Sequence, residues 1–451
     1  MRAKSNSPSP AQRQVHAGAP TSIFLSVIVL ALSTFSPHVS DASTFNDANW
    51  SALGSGVNSR VLSLALSGGN LFAGGDFNEA GGVSANYIAK WNGSSWSAVG
   101  SGLDAPVYAV AVSGNNVYAG GDFSMAGGLS ANAVGQWDGS SWSALGSGIS
   151  GGYVCIYALA TSGSGLFAGG GSFSMAGGAS ATNIAQWNGG SWSALGSGMN
   201  DYVWALAVLG TNLFVGGQFR SAGGVSATNI AQWNGTSWSA VGYGVNGAVL
   251  ALAVSGTNLF AAGAFTMAGG VLVNHIAQWN GSSWSALGSG VNDWIWALAV
   301  SGNNLYAGGD FTTAGGVSVN NIAQWNGSNW SALGSGVNSS VYALAVSGTS
   351  LFAGGQFTTA GTNASAYVAE AILSPPTIVT TNGNFGFTDN ESQFGFDVSA
   401  GAVQTLVVQG STNLLNWVPL QTNVVGGPTW HFDDPSVRSF AQRFYRVLLL
   451  P

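Results

Sequence analysis

Charged residues, cysteine and histidine are all scarce in this chain of 451 residues. Charged side chains make up 6% of it, and the formal net charge is -7. The repeat region described below has three scattered basic residues, Arg60, Lys90 and Arg220. Because a phosphate backbone is bound by clustered basic side chains, this pattern argues against a nucleic-acid partner.

The single cysteine, Cys155, excludes an internal disulfide and is predicted to be a small buried side chain. Residues 43–451 contain two histidines, His275 and His431, which fall in different predicted domains. His275 stands where sister repeats have asparagine, so we expect it to act as a hydrogen-bonding residue. With no CxxC motif and no paired histidines, we expect no metal and no cofactor.

Residues 1–42 are predicted to be a signal peptide. Arg2, Lys4 and Arg13 precede a short apolar run at 23–32, and Ser40-Asp41-Ala42 offers small residues for cleavage. The run is too short to span a bilayer, which needs about 20 apolar residues. We therefore expect a mature protein without a membrane span, secreted or at the cell surface, although an uncleaved anchor remains an alternative.

A pair of tryptophans recurs along residues 43–373. The later tryptophan of each pair, with Trp50 added, repeats at intervals of 46, 46, 50, 46, 46 and 46 residues. A period of about 40–50 residues is typical of β-propeller blades. These residues are predicted to be structural, and the pairs are Trp91/Trp96, Trp137/Trp142, Trp187/Trp192, Trp233/Trp238, Trp279/Trp284 and Trp325/Trp330.

Each pair flanks a turn such as Asn326-Gly327, which is a strong hairpin signal because Asn and Gly tolerate positive φ. The tryptophans should therefore face each other across two strands. Around this hairpin, alternation predicts strands at 295–301, 305–311, 321–325 and 330–334, with a loop at 312–319.

The second strand occurs seven times, which predicts an all-β, seven-bladed propeller with four-stranded blades over residues 43–373. A lone fourth strand is predicted at 50–53, and the last unit lacks one after its third strand at 367–373. The N-terminal strand is therefore expected to close the last blade, which would cover both exposed edges.

The segments L-Y-A-G-G (305–309) and I-A-Q-W-N-G-S-N-W (322–330) resemble the kelch-type repeat, the type found in the central domain of galactose oxidase. The pattern is closer still to secreted bacterial propellers and to the fungal cortical polarity marker repeats. The resemblance implies the fold over about 330 residues. It carries over no partner, because charged residues common in kelch-like repeats are missing here.

Residues 374–376 contain two prolines and are predicted to be a linker, and residues 377–451 a small β-sandwich. The period ends at this linker. S-T-N-L-L-N-W (411–417) and R-F-Y-R-V (443–447) resemble a C-terminal module that recurs in large exported bacterial proteins. That resemblance implies attachment or display.

Candidates for catalysis are few, and no catalytic residue is assigned. A galactose-oxidase-like copper site would need two histidines in the propeller, and a sialidase-like site three arginines. Asp76, Asp122 and Asp310 share one slot, G-G-D-F, which is filled by Gln or Ala in other units, so a loop-capping role is expected. A carbohydrate-active enzyme, a lyase or glycoside hydrolase with an acidic pocket at the central channel, remains the alternative.

The candidate ligand-binding residues lie between the fourth strand of one unit and the first strand of the next: Asp104, Asp201, Tyr202, Asp293 and Trp294. An acidic residue beside an aromatic ring can bind a sugar by hydrogen bonding and stacking. We therefore expect a non-catalytic binding or structural module outside the cell. It is expected to be a monomer, with a glycan or a surface protein as its partner.

Overall fold

The computed structural model describes residues 26–29, 45–163, 165–373, 377–379, 386–388, 393–399, 404–413, 416–425, 429–436 and 442–450. Over these residues the chain is all-β, with a single 3-10 turn at Asp47–Asn49. It divides at residues 375 and 376 into two compact units. Residues 374–376, predicted as a linker, lie outside the described residues, as do most of residues 1–42, the predicted signal peptide.

The larger unit consists of four-stranded antiparallel sheets that repeat along the chain. One sheet has the strands Ile295–Ser301, Asn304–Gly309, Ile322–Trp325 and Trp330–Ala332 in that order. These bounds agree with the predicted strands to within two residues. Period-two alternation explains them, because side chains of one strand point alternately to the two faces of the sheet.

The other sheets repeat this order. Their first strands are Val61–Ser67, Val107–Ser113, Cys155–Ser162, Val203–Leu209, Val249–Ser255 and Val341–Ser347. Their second strands are Asn70–Gly75, Asn116–Gly121, Gly165–Gly171, Asn212–Gly217, Asn258–Gly263 and Ser350–Gly355.

The third and fourth strands form the tryptophan hairpins. The third strands are Ile88–Trp91, Val134–Trp137, Ile184–Trp187, Ile230–Trp233, Ile276–Trp279 and Val368–Ile372. The fourth strands are Trp96–Ala98, Trp142–Ala144, Trp192–Ala194, Trp238–Ala240, Trp284–Ala286 and Trp50–Ala52. Trp325 lies opposite Trp330 with ring centroids 5.5 Å apart, as the hairpin prediction requires. Gly327 in the turn has a φ of 96°, which glycine adopts without strain.

The segment between the second and third strands was predicted to be a loop, and this is wrong in part. In each unit it contains a two-residue antiparallel hairpin, because Ala-Gly-Gly, or Ala-Gly-Thr in the last unit, supplies a tight turn with positive φ at glycine. The hairpins are Glu79–Ala80/Val83–Ser84, Met125–Ala126/Leu129–Ser130, Met175–Ala176/Ala179–Ser180, Ser221–Ala222/Val225–Ser226, Met267–Ala268/Val271–Leu272, Thr313–Ala314/Val317–Ser318 and Thr359–Ala360/Asn363–Ala364. A further short strand, Ile149–Ser150, pairs with Met175–Ala176.

The N-terminal strand Trp50–Ala52 pairs antiparallel with Val368–Ile372, so that Ala371 faces Trp50. Each first strand also packs beside the first strand of the next sheet, and Val61–Ser67 packs beside Val341–Ser347. This arrangement of like sheets is consistent with a propeller.

Seven tryptophan indoles join neighbouring sheets. Each fourth-strand tryptophan is 2–7% exposed, and its Nε1–H donates to a backbone carbonyl of the preceding sheet at 2.8–3.2 Å. The donor and acceptor pairs are Trp50/Leu333, Trp96/Leu53, Trp142/Val99, Trp192/Leu145, Trp238/Leu195, Trp284/Val241 and Trp330/Leu287. Trp50 thus occupies the same environment as the six internal tryptophans.

In six of the seven units the second strand carries a Gly-Gly pair, because the next sheet approaches it closely; the exception is Asn258–Gly263, which has Ala262 in the first glycine's place. A Cβ at Gly308 would lie 2.4 Å from Val341 Cγ1, and one at Gly216 would lie 2.4 Å from Val249 Cγ1. The same contact joins the last sheet to the first, since a Cβ at Gly354 would lie 2.5 Å from Val61 Cγ1. Glycine at this position therefore sets the spacing between sheets.

The smaller unit contains two sheets. In one, the strands Thr377–Val379, Gly386–Thr388 and Thr429–Asp434 all pair with Gln393–Ser399. In the other, the order is Ser26–Val29, Gln442–Leu450, Gln404–Ser411 and Val418–Val425. The two sheets share one core, formed by Phe394, Phe396, Val398, Leu406, Val408, Phe432 and Tyr445.

Ser26–Val29 comes from the segment predicted to be a signal peptide. It pairs in parallel with Gln442–Leu450. Among the described residues, no helix is long and apolar enough to cross a membrane.

Candidate functional site

A cavity of about 610 Å³ lies where the first strands of the sheets meet. One side chain from near the start of each first strand lines one end of the cavity; we call this end the mouth and these residues the collar. The collar consists of Leu62, Tyr108, Tyr157, Trp204, Leu250, Trp296 and Tyr342. Five of the seven are aromatic.

Two residues further along each strand, the same face carries an aliphatic side chain. We call this second set the aliphatic ring: Leu64, Val110, Leu159, Leu206, Leu252, Leu298 and Leu344. Each collar residue is the extra residue of a β-bulge in its first strand, as Trp296 is between Ile295 and Ala297. The ring residues follow it along the strand and line the same cavity, so the ring lies below the collar. The cavity is therefore aromatic at its mouth and aliphatic below it.

Two of the G-G-D-F carboxylates, Asp122 and Asp310, contact collar residues, and the expected loop-capping role is wrong for these two; Asp76 accepts from Ser59 in the loop before the first strand, as expected. Tyr108 Oη donates to Asp122 Oδ2 at 3.3 Å, and Trp296 Nε1 donates to Asp310 Oδ2 at 2.7 Å. The slot lies at the end of the second strand, which pairs with the start of the first strand. Its side chain therefore reaches the collar residue of its own sheet.

Two further units show variations on this pairing. Gln356 replaces the carboxylate in one of them, and its Oε1 accepts from Tyr342 Oη at 2.9 Å. In the first unit the collar residue is Leu62, which has no donor, and Arg60 Nε donates to Asp76 Oδ2 at 2.8 Å instead. That hydrogen bond raises the pKa of Arg60.

Three polar atoms near the collar are buried and have no hydrogen-bond partner among the described residues. They are Asp122 Oδ1, Asp310 Oδ1 and Trp204 Nε1. A buried polar atom without a partner costs about 1–3 kcal/mol. Such atoms are few in natural proteins, and they concentrate here at one end of the cavity.

Two tyrosines of the collar, Tyr108 and Tyr157, remain protonated at neutral pH. Burial, followed by the charge of Asp122, raises the pKa of Tyr108 well above its usual value. Burial, followed by a hydrogen bond with Cys155, does the same for the pKa of Tyr157. Both hydroxyls therefore act as neutral hydrogen-bonding groups.

The aromatic collar residues form two groups. In one, the ring centroid of Tyr157 is 5.5 Å from that of Tyr108 and 4.3 Å from that of Trp204. In the other, Trp296 meets Tyr342 edge to face at 6.1 Å. Aromatic pairs at these spacings are favourable, so the groups support themselves without a ligand.

The structure places the five predicted ligand-binding residues in two different roles. Asp104 lies apart from the aromatic pairs, and its Oδ1 accepts from the backbone N–H groups of Ser124 and Met125 at 2.9 and 2.8 Å. Burial alone would raise the pKa of Asp104, but the bonds from Ser124 and Met125 hold it below its usual value. Asn246 and Asn338 make the same contacts in their units, so the position stabilises a loop.

Tyr202 and Trp294 extend the two aromatic groups outward. Tyr202 stacks on Trp204 with centroids 5.5 Å apart and is 36% exposed. Trp294 meets Trp296 edge to face at 5.6 Å and is 44% exposed. Asp201 accepts the backbone N–H of Tyr202 at 2.8 Å, and Asp293 accepts that of Trp294 at the same distance.

Sequence reasoning placed the variable aromatics in the loops and missed the collar within the first strand. A signal for the collar was present. The fourth strands all begin Trp-Ser-Ala, whereas the collar position changes from Leu to Tyr to Trp between units. A position that varies within near-identical repeats is free of the demands of the scaffold, which is where a binding site can be built.

Cys155 and His275 make local contacts among the described residues. Cys155 is free and 5% exposed, as predicted. His275 Nδ1 lies 3.1 Å from the carbonyl oxygen of Gly263 in its own unit. Over the described residues, no group of three or more His, Cys, Asp or Glu side chains could hold a metal ion.

No model of a protein family matches the chain, and no curated protein does either. Two computationally designed proteins are similar to it in structure. Ika8 is 17% identical, with a TM-score of 0.42, over 71% of this chain and 98% of its own. Ika4 is 18% identical, with a TM-score of 0.26, over 35% of this chain and 88% of its own.

Proposed function

We propose that this chain is an exported, non-catalytic β-propeller that binds a ligand at the collar end of its central cavity. The observation that carries the proposal is where the repeat units differ. Residues that build the sheets are nearly the same in every unit, whereas the collar and the loop residues beside it are not. This difference supports a scaffold role for the sheets and a recognition role for the collar end.

Seven blades closed into a ring are part of this proposal. Three contacts between the ends of the repeat region support it: the pairing of Trp50–Ala52 with Val368–Ile372, the bond from Trp50 Nε1 to Leu333, and the approach of Gly354 to Val61. We also propose that the repeat units are kelch-like. We propose a monomer, because ring closure leaves the repeat region only the three-residue fourth strands as outer sheet edges, which are too short to pair well with a second copy.

Export through the N-terminal signal places the protein outside the cell or on its surface. Cleavage after Ala42 would also remove the strand Ser26–Val29 from its sheet, leaving the edge of Gln442–Leu450 uncovered. The smaller unit would serve attachment or display.

The proposed partner is a glycan that stacks on Tyr202 and Trp294. Both rings are partly exposed beside the mouth of the cavity. The carboxylates of Asp201 and Asp293 each accept a backbone N–H, which leaves their second oxygen to accept from a sugar hydroxyl. Stacking and hydrogen bonding would then act on the same ligand.

A glycan array probed with residues 43–451 tests this proposal. We expect Tyr202→Ala and Trp294→Ala each to reduce retention of the bound glycan about tenfold, which corresponds to a loss of about 1.4 kcal/mol in binding free energy. Tyr243→Ala is the matched control, because Tyr243 is an aromatic residue 93% exposed in a different turn. Retention that is unchanged in both variants contradicts the proposal.

The same array separates binding from catalysis. Each carboxylate at the collar is held by a side chain of its own sheet, which supports binding over acid–base chemistry. Shortened or unsaturated products after incubation would instead establish the carbohydrate-active enzyme.

A further inference from the structure

The cavity itself is poorly suited to a sugar. Below the collar, its described walls are the aliphatic ring and small residues such as Ala205 and Ala251. At the mouth, Tyr108, Trp296 and Tyr342 already donate to side chains behind them. A hydroxyl or an anion held against the aliphatic ring would lose its water without gaining a partner, at a cost of about 1–3 kcal/mol per group.

The electrostatic field at the mouth favours a cation. Arg60 is the one charged side chain among the described residues that line the cavity, and Asp76 holds it. The carboxylates of Asp122 and Asp310 bond to neutral groups, so their charges are left without a cation. Both lie directly behind collar residues, where water screens them less than at an open surface.

The aromatic rings strengthen this preference. Cations are attracted to the faces of Trp and Tyr rings within about 6 Å. A Tyr or Trp that donates a hydrogen bond to a carboxylate has a more electron-rich ring, which raises that attraction. Tyr108 and Trp296 meet this condition from opposite groups of the collar.

The aliphatic ring below adds a second requirement. An apolar chain that entered the cavity would cover the six leucines of the aliphatic ring, such as Leu206 and Leu252, which are partly exposed in the described structure. Burial of apolar surface contributes about 25 cal/mol per Å². A ligand that meets both requirements has a cationic head and an apolar tail.

We propose that the cavity binds an alkylammonium ion, with the ammonium group at the collar and the alkyl chain against the aliphatic ring. This ligand is separate from the glycan proposed for Tyr202 and Trp294, so either proposal can fail without the other.

Isothermal titration calorimetry with four small ligands tests the inference. Octyltrimethylammonium has head and tail, tetramethylammonium lacks the tail, 1-octanol lacks the charge, and octanesulfonate reverses it. We expect octyltrimethylammonium to bind at least about tenfold more tightly than the other three, because each of them loses one of the two contributions.

Variants already sampled by the repeat make the test specific. Gln occupies the slot of Asp122 and Asp310 in other units and holds the same hydrogen bond, as Gln356 does with Tyr342. The double substitution Asp122→Gln/Asp310→Gln should therefore fold and should weaken octyltrimethylammonium binding about tenfold. Asp138→Asn is the matched control, since Asp138 caps a hairpin turn where the other units have Asn.

A second variant tests the tail. Leu206→Trp narrows the cavity and should weaken octyltrimethylammonium about tenfold while leaving tetramethylammonium unchanged. The inference is overturned if wild-type protein binds none of the four ligands, if 1-octanol or octanesulfonate binds equally well, or if the double variant binds as tightly as the control.

Discussion

Removing the indole of Trp50 tests whether the repeat region is closed. Trp50 lies in the first strand of the larger unit, where an open array would fray at little cost. In the structure it is 2% exposed and donates to Leu333 at 3.0 Å. Its strand also completes the sheet that ends at Val368–Ile372. A closed ring makes this terminal tryptophan as important as an internal one.

The expected magnitude follows from burial and hydrogen bonding. Truncation of a buried Trp to Ala costs about 3–5 kcal/mol in the free energy of unfolding. Loss of the Nε1–H leaves the carbonyl of Leu333 without its donor, and this contributes about 1 kcal/mol of that cost. We therefore expect Trp50→Ala to lower the free energy of unfolding by about 3–5 kcal/mol.

Trp238→Ala is the matched control, because Trp238 makes the same bond to Leu195 at 2.8 Å in the middle of the chain. Urea unfolding of residues 43–451, followed by circular dichroism, measures both variants. Closure predicts equal losses within about 1 kcal/mol. A loss below about 1 kcal/mol for Trp50→Ala, beside the full loss for Trp238→Ala, would refute the reasoning.

Two further predictions concern the contacts between sheets and the smaller unit. Gly354→Ala should lower the free energy of unfolding by about 1–3 kcal/mol, because the added methyl would press on a valine of the next sheet. Gly216→Ala should have an equal effect, since it makes the same contact in the middle of the chain. Urea unfolding compares the two variants, and an unchanged stability of Gly354→Ala would contradict the contact. Burial would lower the pKa of His431, but hydrogen bonds and charges of Asp397 and Asp433 outweigh it and raise that pKa above 6.5. The stabilisation by protonated His431 is therefore present below pH 6.5 and is lost as pH rises through the raised pKa. NMR titration measures that pKa, and thermal unfolding of wild type and His431→Asn at several pH values measures the stabilisation. Equal pH dependence of stability in the two proteins would contradict the prediction.

The sheets could be predicted from sequence because local signals agree there. In the hairpin around Asn326-Gly327, turn chemistry, alternation and the tryptophan pair all indicate the same register. The pairing of Trp50 with Ala371 was also predictable, since the repeat region begins with a lone fourth strand and ends after a third strand. Such signals are carried by neighbouring residues or by the period itself.

The collar could not be located in this way. Its members are up to 280 residues apart, from Leu62 to Tyr342, and only the arrangement of the sheets brings them to one cavity. The role of Asp122 was likewise hidden, because its partner Tyr108 lies in the preceding strand, 14 residues earlier. A short polar residue after Gly-Gly reads locally as a turn residue, and nothing nearby indicates an aromatic partner.

Packing between the sheets explains both the stability of the scaffold and why the repeat units differ at the collar. Glycine in the second strand lets sheets pack closely, and the fourth-strand indoles join them, so these positions tolerate little change. The collar faces a cavity, which leaves room for Leu250, Trp204 and Tyr342 at the same backbone position although these side chains differ in size. A repeat that holds its outer strands constant is therefore free to diversify at its centre, and recognition is expected there.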